Sequence, residues 1–490
     1  MRSLLGFVVV SMMAIGCDPE PTTPGTSSSS SSSSGSAGEG GMGAAGGMGV
    51  GGASGGMGGT GGMGGAGGTG GAFDPNGGFT DTEIAQMQTL SPLPAVPPDP
   101  TNKYADNMNA AMLGQMLFHD KSYSGALVVG DDGTNGGLGA VGDTGKVSCK
   151  SCHSGEGLDD QRSMPNNVSL GIDYGTRNAL EITNSAFYAW TNWGGRFDSQ
   201  WSLPLAVAEN PRTMKSTRLQ VVHMLWNKYR TEYDAIFPVP LDAALDPMAA
   251  DAARFPPAGK PKAMPADPDG PWEMMTAADR TIANTIFANY GKAIQAYQRL
   301  LVSRDAPFDK FVAGDKTALS ESAKRGLKVF LGKGGCVACH SGPHFADDQF
   351  HALGVPQMGN HVPGVDLGRN ADVPALLASV FNTAGAFSDD PTTGKLTGLS
   401  QVNEQKGQFR TKGLRGVALS SAYMHAGQFA TLDDVVAFYD AGGGMVTDVV
   451  TDPLMKPLGL TVQEKTDLVE FMKSLTGAPV PAPLLMDTSK

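Results

Sequence analysis

Two short motifs constrain this chain more than anything else in it: Cys149-Lys150-Ser151-Cys152-His153 and Cys336-Val337-Ala338-Cys339-His340. In CxxCH the two thiols add to the vinyl groups of a haem, and the adjacent histidine coordinates the iron. The spacing lays both sulfurs along one porphyrin edge and swings the imidazole under the metal. A zinc site on the same residues would need further ligands beside each motif and would usually bring more cysteines. The chain has five cysteines, of which the motifs use four. Two covalently attached c-type haems are therefore expected, with Cys149, Cys152, Cys336 and Cys339 as attachment points and His153 and His340 as proximal iron ligands.

The fifth cysteine, Cys17, follows a leader. Arg2 supplies a positive start, and Leu4 to Ile15 is an apolar run too short to span a bilayer as a mature helix. Ala14-Ile15-Gly16-Cys17 resembles a bacterial lipoprotein processing site, in which residues 1–16 are removed and Cys17 takes lipid. An ordinary secretory signal cleaved nearby is the alternative. Either way the protein is expected to be exported, to the periplasm or cell envelope, and the lipid would be its only hold on a membrane. No cysteine is left for a disulfide, although that compartment would permit one. A net charge of -12 with no basic stripe argues against a nucleic-acid partner.

Residues 17–79 run through Pro, Thr and Ser into Gly-Met-Gly-Gly repeats, with almost no apolar content able to form a core. They read as a disordered tether, whose reach at about 60 residues is roughly 45 Å. The globular part divides into residues 80–306, holding the first motif, and residues 307–480, holding the second. Helical spacing predicts helices over Asn107–Phe118, Ser216–Phe237, Ala277–Leu301 and Glu321–Leu331. Capping signals at Thr431 and Thr461 predict two more. Strand signals are few. The expected fold is mainly α: two cytochrome c-like haem domains with long loops.

The order of motifs around the two CxxCH sequences resembles that of bacterial dihaem cytochrome c peroxidases and their relative MauG, which oxidises tryptophans in a partner protein. The resemblance spans roughly 107–475. It is carried by Leu113-Gly114-Gln115-Met116-Leu117-Phe118, Arg177-Asn178, Trp193-Gly194-Gly195-Arg196, Gly326-Leu327-Lys328-Val329-Phe330, Leu414-Arg415-Gly416 and Tyr423-Met424-His425-Ala426-Gly427. It implies a peroxide-reacting haem on His153, an electron-relay haem on His340, and Trp193 as the conductor between them. It implies calcium between the domains, held by Asn178 and the backbone oxygens of Ser420 and Ala422. It also makes Tyr439 the sixth ligand of the relay iron, where the peroxidases use methionine and MauG a tyrosine. Without the resemblance, Tyr439 reads as a buried tyrosine with a satisfied hydroxyl. Implied partners are peroxide and either a small electron donor (a cytochrome c or cupredoxin) or a protein substrate, and such peroxidases often form homodimers.

The sequence departs from the family around the peroxide-reacting haem. Leu203, Val207 and Thr213 stand where a glutamine, a proline and a glutamate are usual. Threonine is no general acid–base at neutral pH, and Glu209, four residues before Thr213, is a substitute or a solvated loop carboxylate. Ser169-Leu170-Gly171-Ile172-Asp173 has no counterpart of the family's switchable distal histidine, which leaves that distal site open. Three functions fit: a peroxide-reducing oxidoreductase, a dihaem electron-transfer cytochrome that has lost peroxidase chemistry, and a MauG-like oxidase.

Overall fold

The computed structural model describes residues 78–133, 137–160 and 168–490. The leader, Cys17 and nearly all of the tether lie outside the described residues. Ten helices of six residues or more carry the described fold: α1 Asp81–Leu90, α2 Met108–His119, α3 Ser202–Glu209, α4 Arg218–Ile236, α5 Ala277–Gln298, α6 Pro307–Val312, α7 Glu321–Leu331, α8 Arg369–Ala378, α9 Leu432–Asp440 and α10 Val462–Lys473. Most start on a side chain that accepts from the first turn's amides, as at Asn107, Thr217, Thr276, Ser320, Thr431 and Thr461. Phe350–His351 pairs antiparallel with Phe409–Arg410, the one ladder among the described residues.

Two helix pairs position everything else. α2 crosses α5, and α7 crosses α10. Each crossing is made at a glycine. A methyl group on Gly114 would lie 2.0 Å from the carbonyl oxygen of Ala293, and one on Gly326 would lie 1.9 Å from that of Asp467. Each pair anchors its own apolar core. One is built on Leu113, Leu117, Phe287, Ile294 and Tyr297, the other on Leu327, Phe330, Leu468 and Phe471.

The halves are internal repeats in detail. Asn184 and Gly416 both take left-handed backbone and open matching 3-10 turns, Ser185–Phe187 and Val417–Leu419. Asn192 and Met424 are both left-handed, inside the matching bridges Thr191–Phe197 and Tyr423–Phe429. In this register Trp193 corresponds to His425, and Val207 on α3 to Tyr439 on α9.

The cores are also cross-laced. α1 comes first in the chain, yet Met87 and Leu90 join the second core. Val480 and Leu485 return to the first. No described helix is long and apolar enough to cross a membrane.

Because α7 and α10 touch through Gly326, Gly326→Ala should destabilise the haem-loaded protein by about 1–3 kcal/mol. The thermal midpoint reads this. Gly364→Ala, where a methyl group meets nothing within 4 Å, should leave it unchanged.

Candidate functional site

Cys149–Cys152 forms a single helical turn, and the His153 amide closes it on the Cys149 carbonyl at 3.1 Å. The His153 ring then donates from Nδ1 to the carbonyl of Leu158 at 2.8 Å. The second motif repeats the device: the His340 amide reaches the Cys336 carbonyl at 2.8 Å, and Nδ1 reaches that of Phe345 at 3.0 Å. A carbonyl only accepts, so Nδ1 carries the proton and Nε2 is the nitrogen available to a metal. Burial lowers both imidazoles and holds them neutral, as an iron ligand must be. Burial also pushes the Cys149 and Cys336 thiols up to about 12. Such surroundings suit sulfur as an uncharged thioether better than as a thiolate metal ligand.

A cavity of about 790 Å³ opens beside the second motif, within the range of cofactor sites. Cys336, Cys339, His340, Trp193, Asn178 and Tyr439 are among its walls. Tyr439 enters from α9 and makes no side-chain hydrogen bond among the described residues. Burial and the nearby Cys336 and Cys339 raise its phenol. Tyr439 is half-buried on the cavity wall, so its oxygen is free to meet a ligand inside the cavity. The residues fit a c-type haem on both counts, attachment and coordination.

Trp193 is 9% exposed and donates from Nε1 to the Asn178 carbonyl at 2.8 Å. Its ring meets that of His425 edge-on, with centroids 6.3 Å apart. The Asn178 amide in turn reaches the His425 carbonyl at 2.8 Å, which brings Asn178 to the segment holding Ser420 and Ala422. All three line the cavity. Sequence reasoning missed Asp159 at this corner. It is 6% exposed, accepts from the Ser421 amide at 3.3 Å, and leaves Oδ1 without a partner. Burial pushes its carboxyl up to about 6. No local pattern marks it, because its neighbours come from a segment about 260 residues away.

On the first half, Leu203 and Val207 are half-buried on α3. Thr213 spends its hydroxyl on the carbonyls of Val207 at 2.5 Å and Asn210 at 3.4 Å. Glu209 is neither a solvated loop carboxylate nor a free acid. Arg218 grips both its oxygens, from Nε at 2.9 Å and Nη2 at 3.0 Å. The segment expected to lack a distal histidine is tied down: the Ile172 and Asp173 amides reach the Thr213 and Arg212 carbonyls at 2.9 and 3.0 Å. His361, from the other half, stacks on Tyr174 just beyond it, with centroids 3.5 Å apart. Beside the second motif, Cys339, Asp347 and His351 bring potential metal-ligand atoms together. His351 is already held between Asp452 at 2.7 Å and Asp347 at 2.9 Å.

Since the Thr213 hydroxyl serves its own loop, Thr213→Val should leave the activity of the haem-loaded protein within about twofold of wild type. It should cost about 1 kcal/mol in unfolding free energy. Steady-state kinetics and denaturant titration check the two parts.

The sequence profile of the di-haem cytochrome c peroxidase family matches residues 108–317. Cytochrome-c peroxidase IdrP1 of Denitromonas iodatirespirans is 32% identical over 432 residues, covering 83% of this chain and 90% of its own. The methylamine utilization protein MauG of Methylophilus methylotrophus is 36% identical over 198 residues, 40% of this chain and 49% of its own. Among solved structures, a MauG-like protein associated with microbial copper homeostasis shares the fold, with a TM-score of 0.54 and 23% identity over 81% of this chain and 98% of its own. The diheme peroxidase BthA from Burkholderia thailandensis also shares it, with a TM-score of 0.52 and 20% identity over 80% and 92%.

Proposed function

Because the chain belongs to the di-haem cytochrome c peroxidase family and is a peroxidase-type oxidoreductase, we propose that it reduces peroxide at the haem held by Cys149, Cys152 and His153. Electrons reach that site through the haem held by Cys336, Cys339 and His340. The observation that carries this division of labour is the contrast between Tyr439 and Val207. They occupy equivalent places in the two halves, and Tyr439 brings an unpartnered hydroxyl to the cavity at the second motif. Val207 offers no ligating atom. A haem on the first motif would take no ligand from Val207, which would leave room there for a small oxidant.

Bound haem supplies the redox-active iron at each site. The protein holds each iron by a neutral imidazole whose proton stays on Nδ1. Tyr439 would hold the second iron through its phenol oxygen, and such a ligand would favour ferric and higher states over the reduced state that methionine favours. Trp193, fixed by its hydrogen bond to Asn178, carries charge between the sites. Glu209 and Thr213 take no part in proton transfer, since Arg218 and the backbone occupy them. Asn178 and the carbonyls of Ser420 and Ala422 hold calcium, a hard cation suited to such oxygens. The unpartnered Oδ1 of Asp159 adds negative charge beside it. The protein is exported, anchored by lipid at Cys17, and served by a small cytochrome or cupredoxin. Tyr439 favours one second function, oxidation of a protein substrate as in MauG.

Peroxide added to the haem-loaded protein should shift the haem absorption bands and turn over with reduced cytochrome or dye. No response of the bands and no turnover would reject the proposal. Tyr439→Phe should change the electron paramagnetic resonance (EPR) signal of the relay haem; an unchanged spectrum would reject ligation by Tyr439. Calcium chelation should lower the thermal midpoint of the wild type, and it should do so much less in Asn178→Ala. Equal effects in both would place the ion elsewhere.

A further inference from the structure

The first core holds a group of tyrosines that the chemistry above leaves unused. Tyr123 and Tyr290 are 5% and 1% exposed, and their hydroxyls meet at 2.7 Å. Their ring centroids are 6.0 Å apart at 86°. Cys149, an attachment point of the first haem, packs against the same core. Burial raises both phenols, and both also lie within electrostatic reach of Cys149 and of Asp120.

Asp120, 2% exposed, stands three residues before Tyr123. Its carboxylate accepts from the Ser122 amide at 2.7 Å, from Lys228 Nζ at 2.8 Å and from the Tyr229 hydroxyl at 2.8 Å. Tyr229 is wholly buried. α4 breaks at this residue, where φ is -126° and ψ is 17°. The Lys490 amide donates to the same hydroxyl at 3.2 Å.

We propose that Tyr229 is a second oxidisable site of the protein, linked to the haem at Cys149 through Tyr290 and Tyr123. It rests on the peroxide chemistry assigned above. A phenol gives up an electron readily when its proton has somewhere to go. Another phenol is a poor acceptor; an ionised carboxylate at hydrogen-bond distance is a good one. Of the three tyrosines, only Tyr229 has its hydroxyl on a carboxylate. Tyr229 loses one electron to the peroxide-oxidised haem site, and its phenolic proton passes to Asp120. Hydrogen peroxide takes two electrons and two protons to give two waters. One electron comes from Tyr229 and the other through the relay haem. An electron from the donor and the proton returned by Asp120 then restore the phenol.

The test is EPR of the haem-loaded protein frozen shortly after mixing with hydrogen peroxide. The expected result is an organic radical signal that narrows when tyrosine is ring-deuterated. It should be lost in Tyr229→Phe, which keeps the ring, and in Asp120→Asn, which removes the proton acceptor. It should survive in Tyr233→Phe, whose hydroxyl lies in the same core but accepts from Asn289 at 2.8 Å. Haem absorbance confirms that each variant is loaded; if Tyr229→Phe is not, Asp120→Asn reports on the same proton transfer. A signal that ignores tyrosine labelling, or persists in the loaded variants, overturns the proposal. Haem bands that respond to peroxide with no organic radical overturn this site alone. Bands that do not respond overturn it together with the peroxide chemistry.

Discussion

Each CxxCH histidine is aimed by one hydrogen bond, from Nδ1 to the carbonyl five residues on, and the surroundings of each haem site follow from it. That carbonyl faces back to the ring because Leu158 and Phe345 take left-handed backbone, both with φ of 57°. The conformation costs a side-chain-bearing residue about 1–2 kcal/mol. Burial offsets it. Phe345 is fully buried and packs on Phe308 and Phe330, with centroids 5.5 and 5.8 Å away. Burying such a side chain contributes about 1.5–3 kcal/mol. The helix pair behind each motif therefore does two jobs. It makes the core, and through that core it holds the turn that orients the imidazole.

The same scaffold used twice differs in few side chains at equivalent positions. His425 takes the place of Trp193. It is 2% exposed, stacks on Phe409 with centroids 4.0 Å apart, and is held down to about 4 by burial. Gln357 lies 2.7 Å from its Nε2, so the ring is a neutral packing and hydrogen-bonding element. Trp193 keeps an oxidisable indole at the equivalent position. Tyr439 and Val207 are the second such pair. One position carries a phenol oxygen that could ligate a metal, and the other an apolar side chain that could not.

Local pattern made the helix pairs legible. The span read as Glu321–Leu331 is the observed α7, and Thr431 and Thr461 cap the observed α9 and α10. α3 was missed because it starts on Trp201 without a side-chain cap, and its buried face, Pro204, Leu205 and Ala208, is short. α1 carries a readable capping box, Thr80 with Glu83, but it begins where the tether composition gives way to core composition. At the site, the CxxCH residues were legible because covalent chemistry fixes their spacing. The pairing of Glu209 with Arg218 and the isolation of Asp159 were not. Glu209 meets Arg218 across the turn between α3 and α4, nine residues on, and Asp159 meets Ser421 from a segment about 260 residues away; no periodicity encodes either.

The position of Trp193 shows how far such long-range contacts reach. Its indole is fixed by the Asn178 carbonyl, and Arg177 is the next residue back. Arg177 holds Asp366 with two bonds of 2.7 Å and Asp372 with a third of 2.7 Å, so the first half is clamped to the second. All three side chains are at most 13% exposed. Such a buried group adds little net stability once desolvation is counted, yet breaking it by removing one partner costs about 3–5 kcal/mol. Its value is therefore positional. The Trp193 indole keeps its place only while both halves keep theirs. The ion group fixes those places one residue away from Asn178, whose carbonyl holds the indole.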